Sequence, residues 1–309
     1  MRPPLIHIGY PKTGSTWLQK YVTSAEALGF RPGVERGTVR RLIIEPNELW
    51  YDREAPAEAL RARFEDCEGD GLVPVITHER LAGNPISGGY DAAAIARRLH
   101  GLLPEGRVLM VVREQRSHLH SIYNEYVAGG GVADLDHFLS PPEGAQIPLF
   151  DLRYLEFDRL IRLYQALFGT GQVLVLPYEL LREDAVAFCN RILQFVGLDP
   201  LIALEAPPAR RSVGPYGVAL RRRLNRVLQK NRLNPAGIAH LENLGRWVRV
   251  VDRYVPPPLQ RRAKGRLRAR IEERLGRRFA KSNSRTAVLS GLDLGAYGYP
   301  VASLDQTKE

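Results

Sequence analysis

Short apolar runs alternate with longer amphipathic stretches over the first part of the chain. Leu5-Ile-His-Ile-Gly9 reads as a buried strand, and Ser15 to Leu28 as the helix after it, with Trp17, Leu18, Tyr21 and Val22 on one face. Ala57 to Phe64 reads as helical, and Leu72 to Thr77 as a second strand. A helix is expected over Ala92 to Leu103. Arg107-Val-Leu-Met-Val-Val112 is the clearest strand of the chain, and Ser117 to Val127 the helix that follows, broken at Gly129-Gly-Gly131. Asp151 to Phe168 (helix), Gln172 to Leu176 (strand) and Ala185 to Val196 (helix) complete the series. Strands alternating with helices predict βαβ units, hence an α/β fold with a parallel β-sheet flanked by helices.

Beyond Gly197 the pattern changes. Pro200, Pro207 and Pro208 mark a connecting segment, and basic helices follow. Leu220, Leu224, Val227 and Leu228 form one apolar stripe. Leu259, Ala263, Leu267, Ile271 and Leu275 form another at spacing four, with Pro256-Pro-Pro258 between the two. The expected organisation is one domain over residues 1–309: an α/β core over 1–200, and a basic helical C-terminal region over 201–309 packed on it.

Charge sharpens that division. The net charge is +10, yet the stretch from Arg210 to Arg285 holds 22 Lys/Arg against 4 Asp/Glu, while the rest of the chain is acidic. Such a field draws anions: nucleotides, nucleic acid, acidic glycans or lipid headgroups. Only two cysteines occur, Cys67 and Cys189, with no CxxC pair, which argues against a disulfide scaffold or a cysteine-rich zinc site. No apolar run reaches the ~18 residues of a membrane span, and Leu5 to Ile8 is too short for a signal-peptide core. A cytoplasmic protein is expected.

Candidate chemistry concentrates in Ile8-Gly-Tyr-Pro-Lys-Thr-Gly-Ser-Thr-Trp17, between the first strand and the first helix. Gly9 and Gly14 let a backbone approach an anion. Lys12 supplies a full charge, and Thr13, Ser15 and Thr16 supply hydroxyl donors. The order of residues is not that of the G-x-x-x-x-G-K-[ST] loop, since Lys12 precedes Gly14. Where a nucleotide triphosphatase would carry a metal-binding Asp, the strand ending at Val112 delivers Arg113, which serves a phosphate directly. Binding of a polyanionic nucleotide without a metal is the expectation.

Tyr10-Pro-Lys-Thr-Gly-Ser-Thr-Trp17 resembles the 5′-phosphosulfate loop of the sulfotransferases that use 3′-phosphoadenosine 5′-phosphosulfate (PAPS). The family's second motif is a strand ending in Arg with a Ser eight residues on. Here Val111-Val112-Arg113 precedes Ser121. More weakly, Val173-Leu-Val-Leu-Pro-Tyr-Glu179 and Gly291 to Pro300 look like bacterial members. The resemblance implies a P-loop-like sheet and transfer of a sulfuryl group from PAPS to the hydroxyl of a carbohydrate or small molecule. 3′-Phosphoadenosine 5′-phosphate (PAP) would be the product. It places Pro11, Lys12, Thr13, Gly14, Ser15 and Thr16 around the 5′-phosphosulfate, Trp17 near the adenine or else in the core, and Arg113 and Ser121 on the 3′-phosphate. Lys12 would neutralise the leaving oxygen.

The family's acceptor base is a His or a nearby Glu, and Val75-Ile-Thr-His-Glu-Arg-Leu81 offers both. His78 is favoured because its ordinary pKa lies near neutrality, with Glu79 as the rival. A late Arg-Lys-Gly segment that usually adds a third phosphate contact is replaced by Arg210-Arg-Ser-Val-Gly214, making Arg210 and Arg211 the best counterparts and Arg116 a further one. His118 and His120 read as packing or surface residues. Two rival classes stand beside the enzyme: a nucleotide kinase or other NTPase, and a nucleic-acid-binding protein built on the basic helices. For the second, no zinc-finger or helix-turn-helix signature stands out, and no nucleic-acid partner is expected.

Overall fold

The computed structural model describes residues 2–142, 147–204, 214–228, 230, 233–234, 238 and 244–302. In chain order the elements are β1 (Leu5–His7), α1 (Ser15–Tyr21), β2 (Phe30–Pro32), α2 (Arg36–Val39), α3 (Glu54–Glu68), β3 (Val73–Thr77), α4 (Ala92–Leu102), β4 (Arg107–Val112) and α5 (Gln115–Ala128). There follow α6 (Leu135–Leu139), α7 (Phe157–Phe168), β5 (Val173–Pro177), α8 (Tyr178–Glu183), α9 (Ala185–Val196), α10 (Pro215–Leu228), α11 (Leu244–Tyr254), α12 (Pro257–Leu275) and α13 (Ala280–Ser290). Among the described residues, no helix is long and apolar enough to cross a membrane.

The chain forms two compact units, the first comprising residues 1–114, 153–209 and 279–309 and the second residues 115–152 and 210–278. A five-stranded, all-parallel sheet of order β2-β3-β1-β4-β5 makes the first. The α/β architecture with a parallel sheet flanked by helices is as expected. β1 lies at the centre, with Leu5 paired to Val75 on one side and to Arg107 on the other. Alternation divides the faces. Leu5, Val73, Val75, Leu109 and Val111 pack with Trp17 and Leu18 of α1 and with Phe188, Ile192 and Leu193 of α9. On β4, Val108, Met110 and Val112 are equally buried, and α7 packs against β4 and β5. Both cysteines are buried; burial alone pushes the Cys189 thiol up to about 12.

Several elements differ from the sequence expectation. The first helix ends at Tyr21, and Glu26–Leu28 is a separate 3-10 turn closed by Gly29 in the left-handed region. The stretch expected as one helix from Asp151 is a 3-10 turn at Leu152–Leu155 followed by α7. In the second unit, α5, α10 and α12 pack on one another, and α11 packs on α10. Along α10 the expected stripe is rotated: Val227 is exposed, whereas Asn225 is fully buried and donates to the carbonyls of Val127 and Gly131. Those hydrogen bonds satisfy the amide, so a polar side chain takes a core position. The α12 stripe sinks gradually, from exposed Leu259 to buried Ile271 and Leu275.

Candidate active site

β1 connects leftward to β2, and β4 connects rightward to β5. The crevice beyond their carboxyl ends is therefore a topological switch point, where open α/β sheets bind ligands. The Gly9–Gly14 loop leaves β1 there, Arg113 leaves β4, and His78 and Glu79 leave the neighbouring β3.

The loop holds an unusual backbone. Lys12 is the only non-glycine residue with positive φ among those described, at 69°, and Gly14 follows at 86°. Thr13 is fully buried, and its hydroxyl donates to the Tyr10 carbonyl at 2.5 Å, closing the turn. The ring of Tyr10 is held edge-on by Tyr154 and Phe157, at 5.1 and 4.9 Å. A side chain at Gly14 would meet Leu181 at 2.7 Å and Tyr178 at 3.2 Å, and one at Gly9 would meet the His7 ring at 2.5 Å. Only glycine fits either place. Pro11 is buried, while Lys12 and Thr16 are exposed. Ser15 is buried, and its Oγ has no protein hydrogen-bond partner among the described residues. A phosphate or sulfate oxygen would satisfy such a hydroxyl. The residues present fit a phosphate group.

Arg113 braces this loop. Its Nη1 donates to the Lys12 carbonyl at 2.9 Å, and its guanidinium lies 5.0 Å from the Tyr178 ring centre. Burial lowers its pKa, with Tyr178 and Glu179 opposing the shift, and a guanidinium stays charged regardless. Glu179, next along α8, accepts from the Glu114 backbone N–H at 3.1 Å and from the Tyr299 hydroxyl at 2.9 Å. Burial pushes the Glu179 carboxyl up against those hydrogen bonds. The two weaker sequence signals, Tyr178-Glu179 and the segment ending at Pro300, thus meet beside Arg113.

At the end of β3, His78 caps a 3-10 turn, with its Nδ1 accepting from the Arg80 backbone N–H at 3.0 Å. That bond places the ring proton of the neutral imidazole on Nε2. Burial lowers the His78 pKa; Glu79 opposes the shift, and Arg36, Arg80 and Arg40 add to it. Glu79 is bound by Arg36 Nη2 through both oxygens, at 2.6 and 2.5 Å. Burial raises the Glu79 pKa, but its backbone hydrogen bond, His78 and Arg36 outweigh burial and hold it below the usual carboxylate range.

Sequence reading missed the groups behind this pair. Arg36 Nη1 donates to Gln19 Oε1 at 2.7 Å, and Gln19 Nε2 donates to Thr77 Oγ1 at 3.1 Å. The same hydroxyl contacts His7 Nδ1 at 2.8 Å. α1, β1 and β3 are thereby tied to Glu79. The only signal was polar His7 inside an apolar strand.

The other sequence candidates are placed as follows. Trp17 is buried in the core of the first unit against Tyr21, with ring centroids 5.6 Å apart. Ser121 is buried on α5, in the second unit, where His118 is also buried and Arg116 is paired with Glu272 at 2.7 Å. Arg210 and Arg211 lie outside the described residues.

No protein-family model matches the chain, and no curated protein matches it in sequence. Among solved structures it is similar to a sulfotransferase from Alicyclobacillus acidocaldarius, at 14% identity over 96% of this chain and 99% of that one, with a TM-score of 0.57. The mouse sulfotransferase SULT7A1, complexed with PAP, aligns over 88% of this chain and 86% of its own at 15% identity. Its TM-score of 0.36 is too low to carry weight. At such identities the likeness is one of fold, and the fold shared with the bacterial sulfotransferase spans nearly the whole of both chains.

Proposed function

We propose that the chain is a sulfotransferase that moves the sulfuryl group of PAPS to a hydroxyl of a carbohydrate or small-molecule acceptor. One observation supports this most: the glycine-lysine-hydroxyl loop at the switch point, with Lys12 exposed, Ser15 Oγ awaiting an acceptor and Arg113 fixing the Lys12 carbonyl. Lys12 and the loop hydroxyls would hold the 5′-phosphosulfate, and Arg113 and Ser121 the 3′-phosphate. The acceptor oxygen forms a bond to sulfur as the bond from sulfur to the phosphate oxygen breaks, and the hydroxyl proton passes to a base. Lys12 stabilises the charge that grows on the leaving oxygen. With two organic cations at the phosphates, the step needs no metal ion.

For the base, the hydrogen bonds favour a division of labour between the two sequence candidates. His78 has its Nδ1 lone pair engaged, so its Nε2–H is suited to donate to a sulfuryl or acceptor oxygen. Glu79, oriented by Arg36, is the group with lone pairs left to accept a proton, although the same ion pair that keeps it ionised makes it a weaker base than a free carboxylate. Loss of turnover with nucleotide affinity retained is the expected result for Glu79→Gln.

The deciding experiment is thermal unfolding with PAP in the presence of EDTA. A ligand that binds only the native state raises the melting temperature by mass action. Arg113→Ala and Ser121→Ala are each expected to reduce the preference for PAPS over adenosine 5′-phosphosulfate, which lacks the 3′-phosphate. No shift with PAP, or a strict Mg²⁺ requirement, would sink the proposal in favour of a kinase or NTPase. Screening acceptors with labelled PAPS and reading product masses identifies the acceptor.

A further inference from the structure

The second unit carries a surface that the proposed reaction does not use. α11 is divided along its length. Val248 faces inward and is buried, while Trp247, Val250, Val251 and Tyr254, at spacings of three and four, share one side. These four are exposed by 69, 46, 47 and 80%. They form a continuous apolar and aromatic strip about two turns long. Exposed Leu259 follows at the start of α12. More than half of the exposed large apolar side chains among the described residues lie between Val227 and Leu259. Isolated exposed apolar residues are ordinary, but a helical strip of them is not.

The strip is bordered by positive charge. Arg246 and Arg253 immediately precede Trp247 and Tyr254, about 100° round the helix, and both are exposed. α12 adds seven Lys/Arg against two Glu. Arg270 and Arg274 share the single carboxylate of Asp136. Arg261, Arg262, Lys264 and Arg268 are exposed and make no ion pair among the described residues. Trp and Tyr on an apolar face beside arginines match the layered polarity of a bilayer surface: hydrocarbon, then the headgroup boundary, then anionic phosphates. A nucleic acid would use the arginines but leave the valines unserved. A protein partner of ordinary composition would leave this density of arginine unmatched.

We propose that α11 and the adjoining start of α12 form a peripheral docking surface for an anionic lipid bilayer, with α11 lying in the plane of the headgroups. Trp247, Val250, Val251 and Tyr254 enter the acyl boundary, and the flanking arginines engage lipid phosphates. The proposal is independent of the sulfuryl-transfer reading, because none of these residues belongs to the loop or to the β3 and β4 strand ends.

Co-sedimentation of the full chain with vesicles tests it. Vesicles of phosphatidylcholine alone should bind weakly, and adding phosphatidylglycerol should raise partitioning by at least about tenfold, an effect that salt weakens. The double variant Trp247→Ala, Tyr254→Ala should lose about tenfold of that binding while keeping the wild-type melting temperature, since both side chains are exposed. In a Trp50→Phe background, which removes the other exposed indole, acyl chains brominated near the headgroup should quench Trp247. Equal binding to neutral and anionic vesicles, undiminished binding by the double variant, or absence of quenching would each overturn the proposal. So would a dimer in sedimentation that the double variant dissociates, because the strip would then face a second copy. Retention of duplex DNA by the same surface without vesicle binding would likewise refute it.

Discussion

Lys12 is asked to do two things that conflict. In the proposed reaction it carries the charge that stabilises the leaving oxygen, and it also occupies a left-handed backbone conformation, φ 69°, that a side chain disfavours. For a residue with a Cβ that conformation costs about 1–2 kcal/mol. Glycine would avoid the cost but bring about 0.4–1 kcal/mol of extra freedom to the unfolded chain. Comparing Lys12→Gly with Lys12→Ala isolates the backbone, because both variants lack the lysine side chain. The glycine variant should be the more stable by roughly 0.5–1 kcal/mol. In a unit of this size that is a melting temperature higher by about 1–4 °C, measured without nucleotide. Both variants should lose turnover alike, by about 2.7–4 kcal/mol, or two to three orders of magnitude, if Lys12 neutralises the leaving oxygen. A glycine variant that melts at or below the alanine variant would refute the strain. A loss of turnover smaller than about tenfold would refute the catalytic role.

Three further outcomes are expected. Gly14→Ala should destabilise by at least about 1–2 kcal/mol from the left-handed backbone alone, with its methyl 2.7 Å from Leu181, and should blunt stabilisation by PAP; a wild-type melting curve with and without PAP would count against the loop geometry. Burial pushes the His7 imidazole down to about 4 from 6.5, with Glu79 opposing, so the unfolded chain binds a proton that the folded chain refuses. Stability is then whole above pH 6.5 and falls as pH drops toward 4, by on the order of 3 kcal/mol in total. Urea titrations at several pH values should show a shallower dependence for His7→Asn, and equal slopes would refute this. Asp158→Ala removes a buried carboxylate that accepts from Arg285 Nε at 2.6 Å and from the Ser282 hydroxyl. It should cost about 2–4 kcal/mol by urea unfolding, and a loss under about 0.5 kcal/mol would mean that the pair does not hold α13 to α7.

Legibility in the sequence followed how local the cause was. β4 was readable because its apolar run ends at a charged residue, and α9 because its helical pattern stops at Gly197, which closes it in the left-handed region. β2 escaped notice: three residues ending in Pro32 are too few to show alternation, and only pairing with β3 makes them a strand. α11 was not singled out, because an apolar strip facing outward breaks the rule by which such strips are assigned to a core. The Gly9–Gly14 loop stood out as a candidate since its glycines, lysine and hydroxyls are contiguous. The chain from Arg36 through Gln19 and Thr77 to His7 was not, because those residues come from separate elements and acquire a common purpose only when the sheet aligns them. The protonation pattern of His78 depends on one backbone N–H and so lay beyond any reading of composition or spacing.

The central position of β1 has a temporal consequence. Its three residues pair with β3 and β4, where Leu5 meets Val75 and Arg107, so β1, although it precedes both in chain order, waits for both of its neighbours. Closing two such long loops before any pairing is rewarded makes this a slow, late step. The Gly9–Gly14 loop thus acquires its shape late, when Arg113 arrives to hold the Lys12 carbonyl. Pulse-labelled hydrogen exchange during refolding should find the amides of residues 8–14 protected no earlier than those of β4. Until then the loop lacks its shape, and on the proposed reading the capacity to bind a nucleotide marks completion of the sheet.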